Sequence, residues 1–415
     1  MSLTQSGSAS VLVLASSFYT AALERPFSEV LARENKEVGL SSVPYNQLHT
    51  FLLAPSSVIR EDTSTSVLLL LRAEDLIRFE LVVKGKAPDA CFAALRERTE
   101  EFLNVLSRVS RLRLTVLLCP SGRGAYDVSF LGNAVRVSEF KIAAELRRQQ
   151  RHWVMGWQEF ESAAKLQGCF NASADRLGHV PFSPEGLSAL ANHFVARLDR
   201  MPVTLLSPNS GSSGSTDLEH FLSTLNMEIE IAPLAAPDEQ KIIDLVRHTT
   251  HFINIPGRKW EGGAIQNLDS GAHKGEAWVV RVRDRFGDYG LSGAITFGIQ
   301  ENIMQVGLVF LTCPVLGRQV EYAFLEWMAK VALERGASDI DIPFTAGRDN
   351  QNLESLLANL TETGAARETN DRGFRLAVPG LVDRVLAEAP SPESVKSIVN
   401  NLRTLEAPLS AKAVT

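Results

Sequence analysis

The stretch Val306-Gly-Leu-Val-Phe-Leu-Thr-Cys-Pro-Val-Leu-Gly-Arg-Gln-Val-Glu321 runs from an apolar strand through a short turn into a helix. Residues 306–312 are a nearly continuous apolar run, Pro314 and Gly317 interrupt it, and helical spacing then reaches about Arg335. The first amides of such a helix have no partner within it, and the positive end of the helix dipole lies behind them. The turn is therefore a candidate anion site suited to a phosphate. Its simpler reading is a plain strand-to-helix connection.

Outward from this stretch, residues 227–231 alternate as a strand and 238–247 form an amphipathic helix behind Pro237. Residues 277–285 and 291–299 read as an antiparallel pair around Gly287-Asp-Tyr-Gly290, and 339–343 as a strand after the long helix. Two short helical patterns follow from about Pro379. Upstream, Ser207-Pro-Asn-Ser-Gly-Ser-Ser-Gly-Ser-Thr216 has the composition of a flexible linker. The expected organisation is a first domain over 1–204, a linker over 205–226, a second domain over 227–378 and a helical tail over 379–415.

In the first domain, strands at 11–14, 67–71, 112–119 and 153–157 alternate with helices ending near Arg33 and spanning 91–109, 140–150 and 184–198. That order predicts an α/β fold with a doubly wound parallel sheet. Val67-Leu-Leu-Leu-Leu71 has the continuous apolarity of a parallel strand covered on both faces. The second domain predicts a mixed, mostly antiparallel sheet with helices.

A net charge of -6 argues against nucleic acid as the main partner, since tracking phosphates needs a basic stripe. The basic run Arg147, Arg148, Arg151 with His152 reads as a solvated helix end. The 4 cysteines are scattered without metal-like spacing, so reduced thiols, no metal and a cytoplasmic location are expected. No stretch reads as a secretory leader or approaches the roughly 20 apolar residues that span a bilayer.

With its flanking elements, the second domain resembles the GNAT acyltransferase fold. The resemblance implies a pantetheine arm pairing with the backbone of the strand 307–312, including Phe310, Leu311 and Thr312. It implies phosphates on the amides of Gly317, Arg318, Gln319 and Val320, with acyl-CoA or the phosphopantetheine of an acyl-carrier protein as donor. Glu321 puts a carboxylate at that place and favours the single phosphate of a carrier protein over a full pyrophosphate. Asn350 and Asn352 stand where the family has an asparagine on the next helix, but Asn359-Leu360 stands where its tyrosine acid is expected. His251, Asp284 and Asp288 are candidate bases for an attacking amine, and Cys313 is a candidate acyl carrier or a small buried residue.

The first domain resembles SGNH hydrolases. Ala15-Ser-Ser-Phe18 follows the first strand, where that family has its serine, and implies Ser17 as nucleophile. Asp175-Arg-Leu-Gly-His179 is similar to the family's aspartate and histidine block, though three residues rather than two separate the pair. A relay needs the histidine to take the hydroxyl proton while the carboxylate orients the ring. The third strand leads into Arg72-Ala-Glu-Asp75, with neither the glycine nor the asparagine of an oxyanion hole. Active esterase or thioesterase and retained docking domain both remain open.

Together the halves resemble FkbH-like proteins of natural-product pathways. Pro44-Tyr-Asn-Gln-Leu-His49, Pro55-Ser-Ser57, Leu177-Gly-His-Val-Pro-Phe182, Asp284-Arg-Phe-Gly-Asp-Tyr-Gly-Leu291 and Cys313 to Glu321 carry the likeness. Members of that family hold a haloacid-dehalogenase-like centre between the halves, with Asp-x-Asp-x-Thr. Here the Ser/Gly stretch stands instead, so glyceryl loading is not implied. The resemblance implies transfer of an acyl group from a carrier-protein or CoA thioester to the amine of a small intermediate. The alternatives are a non-catalytic scaffold that docks a carrier protein, or an esterase using Ser17.

Overall fold

The structure is a computed structural model. It describes residues 10–60, 63–82, 88–125, 127–164, 168–206, 211–249, 252–255, 275–346, 350–369 and 373–405. The chain divides into two compact units, Met1–Asp217 and Leu218–Thr415.

The N-terminal unit is an α/β layer around a 6-stranded sheet. Its strands are β1 (Ser10–Ser16), β2 (Gly39–Ser42), β3 (Ser64–Arg72), β4 (Leu114–Cys119), β5 (Trp153–Gly156) and β6 (Val203–Thr204). Their order is β2-β1-β3-β4-β5, all parallel, with β6 antiparallel on the start of β3. The connecting helices are α1 (Glu24–Arg33), α2 (Leu48–Leu53), α3 (Arg78–Val82), α4 (Pro88–Arg108), α5 (Asn133–Arg148), α6 (Trp157–Ala164), α7 (Ala172–Gly178) and α8 (Pro184–Val195). Val67–Leu71 of β3 is buried throughout because helices cover both faces. On one side Phe27, Val30 and Leu31 of α1 pack with Leu190, Ala191 and Phe194 of α8. Each such side chain contributes about 1.5–3 kcal/mol of transfer free energy. The doubly wound sheet agrees with the sequence. The short strands β2 and β6 were not foreseen, since neither has an apolar alternation long enough to register.

This strand order reverses between β1 and β3. Open α/β sheets have a crevice at that point, beyond the carboxyl ends of the two strands. Ser17 follows the end of β1, and Arg72 ends β3.

The expected flexible stretch 205–226 contains a helix, α9 (Gly211–Thr224). Leu218, Leu222 and Leu225 recur about once per turn and are buried. Their stripe lies at the end of a Ser/Gly-rich window that masks it; residues 207–210 lie outside the described residues.

The C-terminal unit is built on an 8-stranded sheet. Its elements are β7 (Glu228–Pro233), α10 (Ala236–His248), β8 (Glu276–Asp284), β9 (Gly287–Gln300), β10 (Ile303–Leu311), α11 (Val320–Glu334), β11 (Asp339–Pro343), α12 (Gln351–Glu362), β12 (Ala366–Glu368), β13 (Gly373–Ala377), α13 (Leu381–Glu388), α14 (Pro392–Asn400) and β14 (Arg403–Thr404). The order is β12-β13-β11-β10-β9-β8-β7-β14. It is antiparallel except at β10–β11 and β7–β14. The mixed, mostly antiparallel sheet is the one expected. The hairpin turn is not: it falls at Arg285-Phe286, and Gly287–Gly290 already belongs to β9, where bulges absorb the extra residues. The expected tail forms its two helices, but they pack on α11, and β14 joins the sheet.

β10 and β11 pair only over Ile303–Gln305 and Asp339–Asp341. Beyond this point β11 stays with β13, and β10 stays with β9. The two strands therefore part, and the rest of β10 has a second edge not covered by a strand.

Candidate functional sites

At the switch point of the N-terminal unit the structure brings Ser17, Asp175 and His179 into one cluster, but around two arginines. Arg72 is fully buried at the end of β3. Its guanidinium reaches Asp175 Oδ2 (2.9 Å), Asp75 Oδ1 (2.6 Å) and Glu74 Oε1 (3.1 Å). Arg78 opens α3 and reaches Asp75 Oδ1 (2.6 Å) and Asp175 Oδ1 (2.8 Å). The loop after β4 seals the cluster: Gly122 N donates to Glu74 Oε2 (2.6 Å) and Ala125 N to Asp175 Oδ2 (2.9 Å).

The charges decide what each expected relay member can do. Ser17 Oγ donates to Asp75 Oδ2 (2.7 Å) and accepts from Arg72 N (2.9 Å). Asp175 faces the arginines, whose hydrogen bonds and charge outweigh burial and hold its pKa down to about 2. His179 Nδ1 lies 2.7 Å from Arg78 Nη1. A guanidinium only donates, so Nδ1 accepts and the neutral ring carries its proton on Nε2. A serine relay needs the opposite tautomer. Burial, then the charge of Arg78, lowers the His179 pKa to about 4. Among the described residues no hydrogen bond joins His179 to Ser17 or to the Asp175 carboxylate. The expected trio thus lies around an ion-pair network of Arg72 and Arg78 with Asp75 and Asp175, and its members are not hydrogen-bonded to one another as a hydrolytic relay. Glu74 is the exception in the cluster, since burial pushes its pKa up to about 7 against the pull of Arg72.

In the C-terminal unit the second edge of β10 is filled by the chain itself. Leu311 N donates to Phe252 O (3.0 Å), and Asn254 N donates to Val309 O (3.1 Å). The Asn254 side chain completes the edge: Oδ1 accepts from Val309 N (2.9 Å), and Nδ2 donates to Gly307 O (3.2 Å) and Pro343 O (3.1 Å). Thr345 N donates to Asn254 O (3.0 Å), and Asn350 Nδ2 to Ile253 O (3.2 Å). Phe252, Ile253 and Asn254 are all buried. The segment is a wedge in the split between β10 and β11. The expected pairing of a pantetheine arm with 307–312 would need groups that are paired within the chain in this arrangement: the edge groups of Gly307, Val309 and Leu311 are taken, Thr312 N donates to Ser292 O (2.8 Å), and Phe310 faces Ile253. Asn350 holds the wedge.

Part of the anion turn is also satisfied within the chain. Gly317 N donates to Glu321 Oε1 (2.5 Å). Burial raises the Glu321 pKa against the lowering pull of the main chain at Gly317, Glu321 and Gln319 and of the Arg318 charge. The carboxylate stands where a phosphate was expected. Arg318 is drawn to Asp284 and the Tyr289 hydroxyl instead. Gln319 has a left-handed backbone (φ 67°). With its amide turned to satisfy both groups, its side chain pairs with Ser391 N (2.9 Å) and O (2.7 Å). Val320 is buried at the start of α11.

Of the candidate bases, Asp284 is the ion-pair partner of Arg318 and accepts from Tyr289 Oη (3.0 Å) and Phe286 N (2.8 Å). Asp288 accepts from Gly290 N (2.7 Å) across a bulge of β9. His251 lies outside the described residues. Cys313 is half-buried at the start of a single turn, and no cysteine among the described residues forms a disulfide. Among those residues no group of three or more His, Cys, Asp or Glu side chains is placed to hold a metal ion, and no helix is long and apolar enough to cross a membrane.

The sequence reading missed Arg72, Arg78 and Asn254. For the arginines there was a signal: a cation directly behind five buried apolar residues, within Arg72-Ala-Glu-Asp-Leu-Ile-Arg78. Asn254, between Ile253 and Ile255, had none.

No protein-family model and no curated protein matches the chain. Solved structures are similar to parts of it. An acetyltransferase of the GNAT family from Staphylococcus aureus shares 11% identity over 36% of this chain and 99% of its own, at TM-score 0.28. The PaiA N-acetyltransferase of Thermoplasma acidophilum, solved with coenzyme A, shares 14% over 36% of this chain and 98% of its own, at 0.27. The N-terminal part of a Bacteroides fragilis protein, containing a phosphatase domain with Mg, shares 12% over 46% of this chain and 53% of its own, at 0.33.

Proposed function

We propose that the C-terminal unit transfers an acyl group from a thioester, borne by the phosphopantetheine of an acyl-carrier protein or by CoA, to the amine of a small biosynthetic intermediate. The observation behind this reading is the split between β10 and β11. There a strand edge in a buried groove receives an extended chain through its amides. A pantetheine arm is also an extended chain with amides, and holding a thioester in register supplies rate by positioning. In the reaction the amine nitrogen bonds to the thioester carbonyl carbon, the carbon–sulfur bond breaks, one proton of the amine ends on the departing sulfur, and the products are an amide and a thiol. The Glu321 carboxylate favours a carrier-borne arm over a free CoA pyrophosphate.

A second reading is a non-catalytic module that docks a carrier protein. It is favoured by the N-terminal unit, where the histidine and the aspartate are bonded to the arginines and the serine to Asp75. The Ser17 hydrolase alternative gains no support from this geometry, because His179 carries its proton on the wrong nitrogen.

Intact-mass spectrometry of the protein with acylated carrier proteins, acyl-CoAs and a panel of amines tests the choice. Loss of acyl mass from one donor with appearance of the amide supports acyl transfer. Binding of a carrier protein without turnover of any donor sinks it in favour of the docking module.

A further inference from the structure

We infer that Phe252–Asn254 is an internal stand-in for the ligand of the β10 edge, so that the groove admits an extended amide-bearing arm only by exchange with this segment. The inference rests on the acyl-transfer reading and goes beyond it by making the resting groove self-occupied.

Competition follows from the hydrogen bonds. Val309 N is bound to Asn254 Oδ1, Val309 O to Asn254 N, Leu311 N to Phe252 O and Gly307 O to Asn254 Nδ2. An arm pairing with the same stretch of β10 needs those groups, and each N–H directs its proton at one good acceptor. The segment and the arm therefore exclude one another.

Exchange is chemically feasible because the wedge binds through neutral groups. Its polar contacts are main-chain amides and the carboxamides of Asn254 and Asn350, so withdrawal uncovers the apolar Phe252 and Ile253 but no buried charge, and an arm with its own amides restores much of the pairing. Asn254 is the pin. Its Nδ2 spans the carbonyls of Gly307 on β10 and Pro343 on β11, which closes the split. An aspartate there has no N–H to give either carbonyl, so the exchange shifts towards the arm.

A reversible lock tests the idea. Ile253 and Phe310 face each other as an isolated antiparallel pair, and the flanking residues make the hydrogen bonds. That is the closely spaced kind of pair, with Cα atoms about 4.5 Å apart, inside the range a disulfide bridges. In the double variant Ile253→Cys/Phe310→Cys, oxidation fixes the wedge in place. Acetyl-CoA and an acetyl-phosphopantetheine carrier protein are the probes. We expect the oxidised protein to bind the donor at least tenfold more weakly than the reduced one, with affinity restored by reductant. In the wild type, hydrogen exchange needs no variant: a saturating probe should expose the Asn254 amide while Leu311 stays protected. Asn254→Asp should bind more tightly than the wild type. Equal binding by the locked and reduced forms, or unchanged exchange at Asn254 under saturation, overturns the exchange and leaves acyl transfer standing. No binding by wild type, reduced double variant or Asn254→Asp removes both.

Discussion

The crevice of the N-terminal unit and the groove of the C-terminal unit are each filled by the chain's own atoms, with opposite chemistry. The crevice is filled by charges. Arg72 and Arg78 neutralise Asp75 and Asp175 with Arg72, Asp75 and Asp175 at or near full burial. Withdrawing any one of them strands a partner's charge in a low-dielectric interior. The groove is filled by a short neutral segment. The comparison teaches that a filled site is closed or exchangeable according to what its vacancy would expose, rather than to how many bonds fill it.

The harshest test of the comparison is Arg72→Met. It leaves the buried carboxylates short of a cation and should cost about 3–5 kcal/mol, read by urea unfolding of the N-terminal unit. A loss below about 1 kcal/mol would mean that the cluster is not held by its charges. Next is Gly124→Ala. A Cβ at that position would overlap Asp175 Oδ2 and Arg72 Nη1, so a cost of about 1–3 kcal/mol is expected from overpacking. A melting temperature equal to the wild type would show that the loop does not press on the cluster.

Glu74 sharpens the comparison through pH. Its folded pKa of about 7 lies above the unfolded value of 4.5. Between these values the folded state holds more protons, so stability is full below pH 4.5 and declines as pH rises through 7. Glu74→Gln should flatten that decline by about 2 kcal/mol, measured as unfolding free energy at pH 5 and pH 8. His179 titrates with the other sign: with a folded pKa near 4, its contribution is present above pH 6.5 and lost on acidification towards 4. A Glu74→Gln curve parallel to the wild type would rule out this assignment. The smallest effect belongs to Ser17→Ala. It removes the hydroxyl shared by Arg72 N and Asp75 and should cost about 1 kcal/mol with no change in acyl transfer. Abolished ester hydrolysis in that variant would reinstate Ser17 as a nucleophile.

Much of the architecture was legible where periodicity is strong and local. Val67–Leu71 and the run from Val306 into α11 declared themselves as a doubly covered strand and a strand-to-helix turn. What the sequence hid was chemistry made by distant partners. Asp175 meets Arg72 across 103 residues, and no local pattern says that an expected catalytic carboxylate will be claimed by an arginine. Glu321 showed where the anion turn would be disfavoured, but only the fold shows the carboxylate bonded to the Gly317 amide itself. The wedge at Asn254 was invisible because strand edges are completed by tertiary contact. The leucines of α9 were obscured by their Ser/Gly-rich neighbours.

The last strand has a consequence for the solution behaviour of the chain. β14 covers β7 only at Glu230 and Ile231, and Leu405 N adds one bond to Ile231 O (2.9 Å). Trp327 Nε1 on α11 holds Thr404 Oγ1 at 3.1 Å and fixes this short cover. Without it, β7 would present bare N–H and C=O groups along a sheet border, the feature by which one molecule recruits a strand from the next. Residues 403–405 thus cover a sheet border open to self-association, and a chain shortened before Arg403 is expected to associate more readily than the full chain, as light scattering at matched concentrations would check.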